Sequence, residues 1–110
     1  MKKEKQAEIN DICLDNYHAA LSELSELDKP REGKKLRSCK ACVFETEHYY
    51  ILRSYHTIVA VIDKDIDVLY DVLRWVYGYT STSAQHISKF EEDYCKGKWS
   101  CAERLTYRSL

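Results

Sequence analysis

Five consecutive apolar residues, Ile58 to Ile62, run through the stretch HTIVAVID at 56–63. Four of the five are β-branched, which favours a pleated strand over a helix. A strand that is apolar at successive positions needs cover on both faces, so this one is central in a sheet. The stretch from Ser54 to Phe90 is organised around it. The acidic DKDID that follows at 63–67 is predicted to turn the chain.

Residues 4–27 predict an amphipathic helix. Ile9, Ile12, Cys13, Tyr17, Ala20, Leu21, Leu24 and Leu27 step by three and four, with no Gly or Pro before Pro30. Glu23, Glu26 and Asp28 oppose the helix dipole at its end, so fraying is expected near Ser25–Asp28. Residues 28–40, DKPREGKKLRSCK, read as a basic linker broken by Pro30 and Gly33. Residues 41–53 read as two short strands around a turn near Thr46–Glu47. Tyr50 and Leu52 would share one face, and Tyr49, Ile51 and Arg53 the other. Residues 67–77 fit both periods and are read as a strand ended by Gly78. On that reading Leu69, Leu73, Trp75 and Tyr77 share a face opposite Val68, Tyr70, Val72 and Val76. A second helix spans 80–95. Thr82 and Gln85 form a capping-box pair with Thr80 and Ser81 as alternative caps, Ile87, Phe90 and Tyr94 make the apolar face, and Gly97 ends the helix. The basic segment after it is either a final strand or a tail.

The expected fold is α+β: an N-terminal amphipathic helix, a small antiparallel sheet of three to four strands, and a second helix packed on it. At 110 residues the chain is one domain. Its parts are the helix (1–28), the linker (29–40), a sheet-plus-helix core (41–95) and a basic tail (96–110).

The net charge of −1 conceals segregation: residues 1–28 carry −4, 29–40 carry +5, 41–71 carry −4 and 72–110 carry +2. No segment is charged strongly enough to mark a nucleic-acid binder by itself, but such patches steer partners. No apolar run reaches the roughly 18 residues of a membrane span. The first ten residues lack the apolar core of a signal peptide, which points to the cytoplasm. Five cysteines are then expected as free thiols.

Chemistry-bearing residues are sparse. Cys39, Cys42, Cys95 and Cys101 offer a zinc alternative, although the second pair lacks the spacing of a knuckle. His86 sits one turn into the second helix, with Tyr79 or Ser54 as a partner. A Ser–His pair can serve nucleophilic catalysis, but no strained Gly-flanked serine turn is present. The histidine reads better as a tie between helix and sheet. Asp63, Asp65 and Asp67 lack the Glu that would complete a calcium loop. No phosphate-loop, dinucleotide or H-E-x-x-H pattern occurs. A non-enzymatic protein without a cofactor is expected.

The pattern Ser54-Tyr55-x-Thr57-x-Val59-Ala60, followed by Gly78-Tyr79-x-x-Thr82-x-x-x-His86-Ile87-x-x-Phe90, resembles a small domain of unknown function encoded by phages and integrated elements of Firmicutes and their relatives. The resemblance covers about residues 41–95 and implies a compact sheet followed by a helix, with no catalytic site to carry over. By analogy with small phage proteins that lack enzyme motifs, a protein that acts by binding is expected, in the manner of an anti-CRISPR protein against a host effector nuclease of the Cas9 type. Candidate partner-binding residues are Glu4, Glu8, Asp11, Asp15 and Glu23 on the first helix and Asp63, Asp65 and Asp67 in the acidic turn, since such effectors present basic channels. The alternative is a nucleic-acid-binding accessory protein that uses Lys34, Lys35, Arg37 and Lys40 on phosphates, with Tyr49, Tyr55, Trp75 or Trp99 as stacking candidates. A homodimer through the first helix is a further expectation.

Overall fold

The computed structural model describes residues 3–27, 34–36, 38–76, 80–97 and 100–109. The predicted features at Asp28, Pro30, Gly33, Arg37, Gly78, Tyr79 and Trp99, and the Cys39 side chain, lie outside the described residues. The elements run α1 (Lys3–Ser25), β1 (Lys34–Leu36), β2 (Ser38–Glu45), β3 (Tyr49–Ser54), β4 (Thr57–Asp63), β5 (Val68–Asp71), α2 (Leu73–Val76), α3 (Ser81–Tyr94) and β6 (Glu103–Thr106).

The fold is α+β, but its sheet has six strands in sequential order β1 to β6, not three or four. Strands β1 to β5 pair antiparallel, and β6 runs parallel to β5, so the sheet is mixed. Two parallel neighbours need a crossover, and α2 with α3 supplies it. The segment read as a linker contributes β1 and the start of β2. The final segment contributes β6.

The central strand is covered on both faces as its sequence requires. Helix α1 lies on one face. Its Ile9, Cys13, Tyr17 and Leu24 pack with Ile51, Val61, Val68, Tyr70 and Val72. Helix α3 lies on the other, where Ile87 and Phe90 pack with Leu52, Val59, Ala60, Ile62, Leu69 and Leu73. The faces expected for Tyr49 to Leu52 and for Val68 to Leu73 are those found, but Trp75, expected beside Leu69 and Leu73, is exposed and lies against Tyr107, and Tyr77 lies outside the described residues. Within β4 the alternation breaks once. Leu52 pairs with Ala60 and Arg53 with Ile58, leaving Val59 as a bulge. The extra residue turns both Val59 and Ala60 toward α3.

Three local readings change. Residues 67–77 are not one strand: β5 stops at Asp71 and α2 begins at Leu73. The Asp71 side chain accepts the Leu73 N–H at 3.0 Å and so caps the new helix. Thr80, not Thr82, is the N-cap of α3, accepting from the Ser83 N–H at 3.2 Å. Ile12 and Leu27, counted among the apolar positions of the first helix, are 43% and 40% exposed. Ile12 lies on the solvent side of α1, and Leu27 lies beyond its last turn.

Candidate functional site

Helix α1 separates its side chains sharply. At about 100° per residue, Glu4, Glu8, Asp11 and Asp15 fall within an arc of about 60°, opposite the line that packs on the sheet. All four are exposed. None has an ion pair among the described residues. At 1.5 Å rise per residue the row is about 16 Å long. The helix that presents it is fixed at both ends. Gln6 donates to the Thr106 carbonyl at 3.1 Å, and Asn10 both donates to the Arg108 carbonyl at 2.8 Å and accepts its N–H at 3.0 Å.

At the other end, Glu23 is not available to a partner. One carboxylate oxygen accepts from Thr46 Oγ1 at 2.7 Å and from the His48 N–H at 3.1 Å, and the other meets His48 Nδ1 at 2.7 Å. Burial alone would raise the Glu23 pKa, but these hydrogen bonds outweigh it and hold the carboxyl below its ordinary value. The Glu23 hydrogen bond, followed by the nearby acidic charges, raises the His48 pKa.

The acidic turn divides the same way. Asp65 is exposed, and Asp63 accepts the Asp65 N–H at 2.9 Å. Asp67 is 9% exposed and sits at a left-handed φ of 55°. Its two carboxylate oxygens accept the N–H groups of Lys96 and Ala102, each at 2.9 Å. Asp67 therefore holds the loop between α3 and β6 and cannot also serve a partner. That loop is closed by a disulfide between Cys95 and Cys101, six residues apart, which corrects the expectation of free thiols there. Cys13 and Cys42 are free. Burial, then the charge of Asp71, pushes the Cys13 thiol up to about 12.

Among the described side chains of the four-cysteine zinc alternative, Cys42 does not join Cys95 and Cys101. Cys101 packs on the α3 face. Cys42 alternates with Ala41 and Val43 of that face, so it lies on the α1 face with Phe44 and receives Arg53 Nη2 at 3.7 Å. Asp67, Cys95 and Cys101 do lie within 4.8 Å of one another, but the sulfurs are bonded together and the carboxylate is satisfied by backbone.

The expected histidine tie is present, with Ser54 as the partner. Ser54 Oγ at the end of β3 lies 2.7 Å from His86 Nδ1 and 3.0 Å from Ser83 Oγ, both on α3. Ser54 and Ser83 are fully buried, so the hydroxyl is closed to a substrate. Burial, then the charge of Lys89, lowers the His86 pKa. The Tyr55 ring lies 5.8 Å from the imidazole. Tyr55 itself opens the two-residue β3–β4 turn at φ 56°, a position that favours Gly.

The basic candidates lie on the β1 edge, where Lys34 and Lys35 are exposed and Lys40 is exposed on β2. Tyr55, 38% exposed, donates its N–H to the Lys40 carbonyl at 2.8 Å and stands beside this edge. Trp75 is exposed but stacks on Tyr107 after β6. That places it at the opposite edge, about 24 Å away at five strand spacings. Tyr49 is buried and bonds Asn16 at 2.8 Å, which removes it from the stacking candidates.

Among the described residues no helix is long and apolar enough to cross a membrane. Comparison with family models, with curated proteins and with solved structures returned no match.

Proposed function

We propose that this chain is a non-enzymatic phage or mobile-element protein that inhibits a host defence nuclease of the Cas9 type by binding it, as an anti-CRISPR protein does. One observation carries the reading: Glu4, Glu8, Asp11 and Asp15 form an exposed row, without ion pairs among the described residues, on the outer side of a helix whose inner side and ends are fastened to the sheet. Neighbours three and four residues apart on a helix stand about 5–6 Å from one another. The result is a rigid line of negative charge that fits a basic nucleic-acid channel. Rigidity matters because charges already in place cost little ordering on binding. Asp65 extends the acidic surface at the far end of the sheet, whereas Glu23, Asp63 and Asp67 serve the fold.

The test is a DNA-cleavage assay with a guide-loaded Cas9-type effector. The native chain should block cleavage, and Glu4→Lys, Glu8→Lys, Asp11→Lys and Asp15→Lys together should restore it. A second reading, phosphate binding by Lys34, Lys35 and Lys40, is favoured by Tyr55 beside Lys40. It predicts a salt-sensitive shift of single-stranded DNA that is lost when the lysines are replaced by Glu.

A further inference from the structure

The loop between α3 and β6 gathers three metal-ligating side chains from distant parts of the chain. Asp67 comes from the turn before β5, and Cys95 and Cys101 stand near the two ends of the loop. The carboxylate and both sulfurs lie within 4.8 Å of one another. Cys101 and Asp67 are buried, and Cys95 is half-buried. In the disulfide the two sulfurs are bonded to each other. Reduction returns both as ligands.

The disulfide is not all that keeps these groups together. Asp67 accepts the Lys96 and Ala102 N–H groups at 2.9 Å each. Glu91 Oε2 accepts the Cys101 N–H at 3.3 Å, and the Glu91 carbonyl accepts the Cys95 N–H at 3.2 Å. None of these bonds uses a sulfur. With the S–S bond open they still hold the backbone of both cysteines, whose Cα atoms are 4.7 Å apart. The two thiols therefore remain neighbours beside Asp67. Two thiolates and a carboxylate this close repel one another where water screens them poorly, and a dication removes that repulsion. Each Asp67 oxygen gives one lone pair to an amide and keeps another, enough for an ion though not for a protein partner. Metal-ligating carboxylates are commonly held by such hydrogen bonds.

We propose that Cys95, Cys101 and Asp67 form a zinc site in the reduced chain, and that the disulfide is its closed, oxidised form. Zinc takes thiolate sulfur at about 2.3 Å and carboxylate oxygen at about 2.0–2.2 Å in a tetrahedral arrangement. Two thiolates disfavour magnesium and calcium, which take oxygen ligands. Water fills the fourth position. To open the site, one thiolate of a dithiol reductant attacks Cys95 Sγ, the more accessible sulfur. The S–S bond breaks, and its electron pair leaves on Cys101 Sγ, which takes a proton. The second thiol of the reductant then displaces Cys95 and closes the reductant's own disulfide. Zinc replaces the two protein thiol protons as it binds. The site uses neither Cys39 nor Cys42, and it is independent of the α1 row and of the inhibitor reading.

The test uses the full chain, reduced with dithiothreitol, desalted without oxygen, and titrated with cobalt(II) and then zinc. One cobalt per chain is expected, with thiolate-to-cobalt charge-transfer absorption and tetrahedral ligand-field bands that zinc abolishes. The oxidised chain should show neither. Zinc should also raise the urea midpoint of the reduced chain, because it binds the folded form. Cys42→Ser should bind as the native chain does. Cys101→Ser, which leaves the Asp67 and Glu91 hydrogen bonds in place, should weaken zinc binding by more than about a hundredfold, beyond the roughly 10–100-fold that changes outside the ligand set cost. Asp67→Asn should shift the ligand-field bands and keep the charge-transfer absorption. The site is refuted by the absence of one-to-one cobalt binding, by binding that survives Cys101→Ser or needs Cys42, or by an unchanged spectrum in Asp67→Asn. Unfolding of the reduced chain that zinc does not reverse refutes it equally.

Discussion

Two histidines in this molecule titrate in opposite senses because one is tied through a charge and the other through burial. His48 is bonded to Glu23, and its pKa lies above the ordinary 6.5. That tie contributes stability in full below pH 6.5 and loses it as pH rises through the raised value. Glu23 is lowered from 4.5, so its share is present above that pH and lost as pH falls through the lowered value. His86 is buried and lowered, so its contribution is complete above 6.5 and is lost as pH falls through the depressed value. Imidazole chemical-shift titrations should place the two midpoints on opposite sides of 6.5. Glu23→Gln should bring His48 back toward it and leave His86 where it is. Ser54→Ala removes the partner of a buried imidazole and should destabilise by about 1–3 kcal/mol in a urea titration. The Ser54–His86 pair was legible in part: His86 stands four residues before Phe90, on the stripe of the helix that faces the sheet, and Ser54 was one of two expected partners. The difference between Asp65 and Asp67 was not legible. Both belong to one acidic turn, and only the left-handed backbone at Asp67 aims its carboxylate at the Lys96 and Ala102 amides.

At the scale of elements, several ties meet in the loop between α3 and β6. It combines the disulfide, the two Asp67 hydrogen bonds and the close packing of Gly97, where a Cβ would stand 2.5 Å from the Ser100 carbonyl oxygen. This loop sets β6 beside β5. Cys95→Ser with Cys101→Ser should cost about 2 kcal/mol by loop-closure entropy. Asp67→Ala should cost about 2–4 kcal/mol, from two charge-assisted hydrogen bonds to partly buried backbone. Both are read from the urea midpoint, and a shift near zero for Asp67→Ala would mean the loop is held without it. The edge strands escaped sequence reading for a physical reason. KKL and ERLT carry one apolar residue each, and their pairing with β2 and β5 is tertiary. The turn from β5 into α2 escaped it as well. Val68 to Val76 satisfies both periods, and the decision rests on Asp71 capping Leu73. Cysteine spacing was equally uninformative about zinc, because it does not say which face of a sheet each thiol occupies.

At the scale of the whole molecule, the sheet is a plate with a helix on each side, and its charge is distributed by face and edge. The acidic row lies on the outer side of α1, lysines lie on the β1 edge, and arginines line the β6 edge beside α3. The amphipathic pattern of residues 4–27 made the acidic row visible in the sequence. The parallel β5–β6 pair was invisible, because no local pattern announces it. The claim to test first is that the acidic row blocks a nuclease. Cleavage by a guide-loaded Cas9-type effector should be measured against increasing native chain, the four-lysine α1 variant, and a Lys34→Glu, Lys35→Glu control. Inhibition by the native chain and the control, with loss in the α1 variant at unchanged melting temperature, is the predicted result. Full cleavage in the presence of native chain, or inhibition that survives the four reversals, contradicts it.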